Sequence, residues 1–100
     1  MSNKRLDLHA TLKSIVDYVY FQPPESMKLN YPCIVYERSS GDTQFADNHP
    51  YIHATRYKIT VIDADPDSEI PGKVARLPMC TMDMHFTKDN FNHDVFNIYY

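Results

Sequence analysis

The residues with chemical potential are an aspartate string, five histidines, two cysteines and two glycines. Asp63, Asp65 and Asp67 stand at every second position, as at the start of a calcium-binding loop. Such a loop needs glycine sixth and glutamate twelfth, because the chain must turn sharply before a bidentate carboxylate closes the site. Counted from Asp63, those positions hold Ser68 and Val74, so the string reads as turn and cap residues instead. His49 and His53 are four apart, but Pro50 between them opposes the helix that would put both imidazoles on one face. There is no HExxH, so no metal is expected. Cys33 and Cys80 lack CxxC spacing and read as reduced thiols that pack in a core. No GxSxG elbow is present, and glycines at 41 and 72 alone cannot build a phosphate-cradling loop. No catalytic residue, cofactor or metal site is therefore expected, and the chain reads as non-enzymatic.

The elements that would position these residues follow from periodicity. Leu6, Leu8, Leu12, Ile15, Val16 and Val19 recur at spacings of three and four, which predicts a helix over 5–21. Pro23-Pro24 would stop it. Tyr31 to Glu37 reads as a strand with a proline near its entrance. Residues 39–53 read as a long irregular loop, opened by Ser39-Ser40-Gly41-Asp42 and closed by Asn48-His49-Pro50. A second strand is expected from Ala54 to Asp63, with Tyr57, Ile59 and Val61 alternating against Arg56, Lys58 and Thr60. Ser68 is the expected N-cap of a short helix over 69–77, with Pro71 in its first turn and Ile70, Val74 and Leu77 as its apolar stripe. Residues 79–86 and 94–100 read as two final strands joined by a polar turn from Thr87 to His93. The expected fold is α+β, a mainly antiparallel four-stranded sheet with two helices packed on it, in the order α-β-β-α-β-β.

One hundred residues suit one domain over 1–100. The charge, 10 Lys+Arg against 13 Asp+Glu, is −3 and opposes a duplex-DNA binder. No run of 18 apolar residues predicts a membrane span, and no apolar stretch follows the charged start to predict a signal peptide. Thirteen Tyr and Phe exceed what one small core needs, so some are expected at an interface. A loop beyond about 12–15 residues is uncommon and often functional. The predicted one carries Phe45 and Tyr51 among polar residues.

Taken in order, several segments resemble the small tail-terminator or tail-completion proteins of long-tailed bacteriophages, also called head–tail joining or minor tail proteins. They are the opening helix, Tyr31-Pro32-Cys33-Ile34-Val35-Tyr36, Ala46-Asp47-Asn48 before Tyr51, and Arg56 to Asp63. Asp65-Pro66 and Asn92-His93-Asp94 continue the series, so the likeness covers about 25–100 best. The resemblance implies a virion protein made in the host bacterial cytoplasm. Its members form hexameric rings that cap the tail tube and meet the head connector, with DNA passing through without specific binding. It also implies that the 39–53 loop is a contact element, with Phe45, Asp47, Tyr51 and Arg56 as expected interface residues.

Two other classes compete. One is a monomeric protein–protein interaction module, an adaptor or inhibitor, using the same aromatic residues. The other is a small metal-dependent hydrolase built from His85, His93 and the Asp63–Asp67 cluster.

Overall fold

The computed structural model describes residues 4–45 and 53–100. Its elements are α1 (Lys4–Lys13), β1 (Tyr18–Phe21), β2 (Cys33–Phe45), β3 (His53–Asp63), α2 (Ile70–Ala75), β4 (Cys80–Lys88) and β5 (Phe91–Tyr99). All five strands form one mixed sheet in the order β1-β2-β3-β5-β4. β1 runs parallel to β2, and every other pairing is antiparallel. The α+β class is as the sequence predicts, but the four-stranded sheet and the α-β-β-α-β-β order are not. The order is α-β-β-β-α-β-β.

The additional strand comes from the predicted helix over 5–21. The helix ends at Lys13, and Tyr18-Val19-Tyr20-Phe21 pairs with Cys33 to Tyr36. Branched and aromatic side chains fit a pleated surface better than a helical turn, where their χ1 freedom is lost. The helical periodicity is nevertheless real at its start, for Leu8 and Leu12 are fully buried. Pro23-Pro24 thus follows a strand rather than a helix.

The predicted irregular loop over 39–53 is also corrected. β2 continues to Phe45 and β3 begins at His53, with pairs Thr43↔Thr55, Gln44↔Ala54 and Phe45↔His53. The turn formers Ser39 to Asp42 fall in a register shift between Arg38 and Thr43, so they bulge one strand instead of ending it. Residues 46–52 lie outside the described residues.

The β3 alternation is as expected, with Tyr57, Ile59 and Val61 buried. The cross-strand register puts Ile34, Tyr36, Phe96 and Ile98 on that same face. Leu8, Leu12 and Val16 from the α1 side and Val74 from α2 join them in one core. Both helices therefore cover one face of the sheet. Helix α2 is shorter than the predicted 69–77, and its N-cap is Glu69, without a side-chain cap bond. Ser68 still contributes, since its Oγ accepts the Ile70 N–H at 3.2 Å.

The polar turn predicted from Thr87 to His93 contracts to Asp89-Asn90, both at positive φ, 54° and 67°. Short polar side chains tolerate that region, and two such residues match the twist of a tight hairpin. The flanking strands gain residues on both sides of it. Among the described residues, no helix is long and apolar enough to cross a membrane.

Candidate interaction surface

Three features remain once the core is accounted for: a hairpin arm, a groove on the uncovered sheet face, and the β4 edge. The arm comes first because the sequence singles it out. β1 pairs with β2 only through Tyr36, and the β5 ladder meets β3 from Arg56 onward. A backbone pair between Thr55 and Tyr100 extends that contact by one residue. Beyond it, Gln44-Phe45 and His53-Ala54 pair only with each other in the described sheet. A two-stranded ribbon on its own is marginal in water, which makes this backbone extension a candidate for contact with a partner.

Of the four expected interface residues, Phe45 ends β2 opposite His53 on this arm. Arg56 sits on β3 at its base, where its Nε donates to Ser39 Oγ at 3.0 Å and ties β3 to the bulged part of β2. Asp47 and Tyr51 lie outside the described residues. The structure therefore places Phe45 and Arg56 on the same hairpin.

The groove lies on the sheet face opposite the helices, under the segment between β1 and β2. That segment leaves β1 through Gln22, held at φ 45°. Gln22 spans both strands: its N–H donates to the Tyr36 carbonyl at 2.9 Å and its Oε1 accepts the Arg38 N–H at 3.2 Å. It returns through Tyr31, whose ring lies 4.3 Å from that of Phe91. Between segment and sheet is an open cleft of about 340 Å³, lined by Pro23, Met27, Val35, Ile62, Phe86 and His93 among others. Its walls are mostly apolar, and periodicity in the sequence could not find it because its two sides are distant in the chain.

A polar cluster at the start of α1 also escapes the sequence. The Tyr36 hydroxyl lies 2.7 Å from His9 Nδ1 and accepts a hydrogen bond from Arg5 Nη1 at 3.4 Å. The Arg5 guanidinium stacks 4.5 Å over the Phe21 ring. A tyrosine between a histidine and an arginine suggests proton transfer, but the electrostatics oppose it. Burial raises the Tyr36 pKa against the opposing pull of Arg5. Tyr36 is fully enclosed, so no substrate reaches its oxygen. The cluster fastens α1 to the sheet.

Burial, then the Arg5 charge, then that of Lys13 lower the His9 pKa. The folded protein thus resists a proton that the unfolded chain accepts near its ordinary value of about 6.5. The unfolded state binds more protons, so the His9 contribution to stability is complete above that value and is lost as pH falls through the lowered one. The urea midpoint should therefore drop more between pH 7.5 and 5 in the native chain than in His9→Gln. Equal drops would refute the assignment.

The hydrolase cluster does not assemble. His85 Nδ1 lies 2.7 Å from Asp94 Oδ1, whereas His93 stacks on Phe86 at 4.7 Å. Consecutive pairs of one ladder point to opposite faces, so the two histidines are separated by the sheet. Asp63 Oδ1 accepts the Asp65 N–H at 3.0 Å, and Asp65 Oδ1 accepts the Asp67 N–H at 2.9 Å. These are turn-stabilising roles, as the sequence predicts. Among the described residues no three His, Cys, Asp or Glu side chains come together as a metal site.

Both cysteines are free. Burial foremost, with the Asp63 carboxylate adding, pushes the Cys33 thiol up to about 11, and burial raises that of Cys80. Neither has the depressed pKa of a nucleophile.

Comparison with known proteins returns no matching family model, no matching curated protein and no matching solved structure.

Proposed function

We propose that this chain is a structural virion protein, a ring subunit that caps the tail tube of a long-tailed bacteriophage and joins tail to head. The observation that carries the reading is the hairpin arm. It extends β2 and β3 past their neighbours, with the described pairing reaching Phe45 and His53. A ribbon that extends past the neighbouring strands suits a ring subunit, which can use one to reach its neighbour or the tube beneath. The ordered series of segments resembling tail-terminator proteins supports the same role. So does the charge of −3, since a DNA passage lined with cations would bind phosphates strongly.

In this reading the ring has six copies, and the aromatic residues Phe45 and Tyr51 anchor its contacts. In the sequence Asp47 lies between them and Arg56 follows Tyr51. Partners are further copies of the chain, tail-tube proteins and head-connector proteins. Native mass spectrometry over a concentration series, alone and with purified tail tubes, tests the proposal. A sixfold species on its own or on the tube is expected, and Phe45→Ala with Tyr51→Ala should remove it while leaving the monomer folded. A folded monomer that neither assembles nor binds tubes would overturn the ring and leave the monomeric interaction module.

A further inference from the structure

We propose that the cleft on the uncovered sheet face binds a free aromatic amine, an ammonium head on a compact flat body. Val35 on β2 and Ile62 on β3 form its floor, and Phe86 and His93, opposite one another on β4 and β5, form one wall. Those two rings stack 4.7 Å apart and 11° from parallel, which presents a flat surface to a further ring. Met84 joins them on this face, paired with Val95, whereas the bulge at Asp83 sends Met82 to the helix side beside Phe96. Met27, Met84 and Phe86 are 46%, 51% and 40% exposed, so apolar side chains also stand in solvent around the cleft.

The polar part of the lining sets the charge of the ligand. It consists of Glu25, Thr60 and His93, and among the described residues no lysine or arginine lines the cleft. His93 Nδ1 donates to the Phe91 carbonyl at 3.2 Å, which leaves Nε2 of the neutral ring as an acceptor. Pro23 and Pro24 bring carbonyls to the lining without amide donors. The Glu25 carboxylate, the Thr60 hydroxyl and His93 Nε2 have no partner among the described residues. Acceptors thus outnumber donors beside one fixed negative charge, which favours an ammonium group with three N–H donors and repels a carboxylate.

The segment over the cleft is held in place before any ligand arrives. Gln22 ties its start to β2, the Asn30 N–H donates to the Tyr20 hydroxyl at 3.1 Å, and Tyr31 closes its end on Phe91. A preformed cleft loses no affinity to ordering a loop. This inference does not rest on the ring, since neither Phe45 nor Arg56 lines the cleft.

The test follows methyl NMR shifts of the whole chain at pH 7.5 during titration with phenethylammonium, its neutral isostere 2-phenylethanol, and 3-phenylpropionate. The amine is expected to shift the Met27 and Ile62 methyls with a dissociation constant of about 1 mM, ordinary for so small a ligand. Met79 and Met82, away from the cleft, should stay still. The alcohol should bind about tenfold more weakly and the carboxylate not at all. Glu25→Gln, at an exposed site, should bring the amine down to the affinity of the alcohol and leave the alcohol unchanged, whereas Phe86→Ala should weaken both. Nα-acetyl-lysine methylamide, which carries the ammonium without the ring, should bind less well than phenethylammonium. Absence of shifts at Met27 and Ile62, equal binding of amine and alcohol, or indifference to Glu25→Gln would overturn the proposal. Equal binding of the lysine derivative would overturn it in favour of a protein side chain as the occupant.

Discussion

Replacing Tyr36 with alanine is expected to destabilise the protein by about 3–5 kcal/mol, the range for emptying an aromatic site in a core. A domain of this size commonly has about 5–15 kcal/mol in all, so the substitution removes a large share of the total stability. Tyr36 heads the fully buried side chains by volume. Its ring meets those of Phe21 at 4.9 Å, His9 at 5.7 Å and Tyr57 at 6.1 Å. One residue thereby links α1, β1, β2 and β3. Tyr36→Phe separates packing from polarity: it keeps the ring and leaves His9 Nδ1 and Arg5 without the hydroxyl. A loss of about 1–2 kcal/mol is expected there. Urea denaturation of both variants checks the pair. If Tyr36→Phe cost as much as Tyr36→Ala, the hydroxyl cluster rather than ring packing would hold α1.

Val74→Asp is expected to detach α2, at a cost of roughly 3 kcal/mol or more. Val74 is the one buried residue of that six-residue helix and is fully enclosed in the core. Ile70 and Leu77 pack beside it only partly buried. A carboxylate there would sit among apolar neighbours and must either stay unpaired or pull the helix away. Val74→Ala should cost only about 1.5–3 kcal/mol, since it removes apolar area without adding charge. Hydrogen exchange gives the discriminating readout. In Val74→Asp, α2 amides should lose protection before those of β3 and β5. Simultaneous loss throughout would mean that α2 and the sheet unfold as one unit.

Parts of this architecture were legible before any coordinates. Ile70, Val74 and Leu77 lie at helical spacing, and Tyr57, Ile59 and Val61 alternate with polar residues. In both cases the pattern is local and states which face is buried. The Asp63–Asp67 turns were legible for a similar reason, because a side chain bonding an amide two residues on needs nothing from elsewhere. The failures are of another kind. Val16 and Val19 continue the α1 periodicity, yet Val19 belongs to a strand opposite Ile34. Four residues of β1 cannot reveal themselves as a parallel strand, since the partner that selects them is fifteen positions away. Ser39 to Asp42 have turn composition, but a partner strand already in register can absorb them as a bulge.

The candidate surfaces divide along the same line. Phe45 and Arg56 were visible as residues worth testing, because aromatic and cationic side chains in a polar stretch stand out by type alone. Their placement on one hairpin arm needed the β2–β3 register. The cleft between Pro23 and His93 and the clasp of Arg5, His9 and Tyr36 had no sequence signal, being made by residues far apart in the chain. The β4 edge lies between these cases: Met82, Met84 and Phe86 are plain in the sequence, but only sheet order shows that their strand is terminal. By itself, then, the sequence determined the α+β class, the buried face of β3, the stripe of α2 and the Asp63–Asp67 turns. Tertiary structure alone decided the fifth strand, the sheet order and every surface assembled across the chain, because strand pairing is settled by non-local backbone hydrogen bonds that no local pattern encodes.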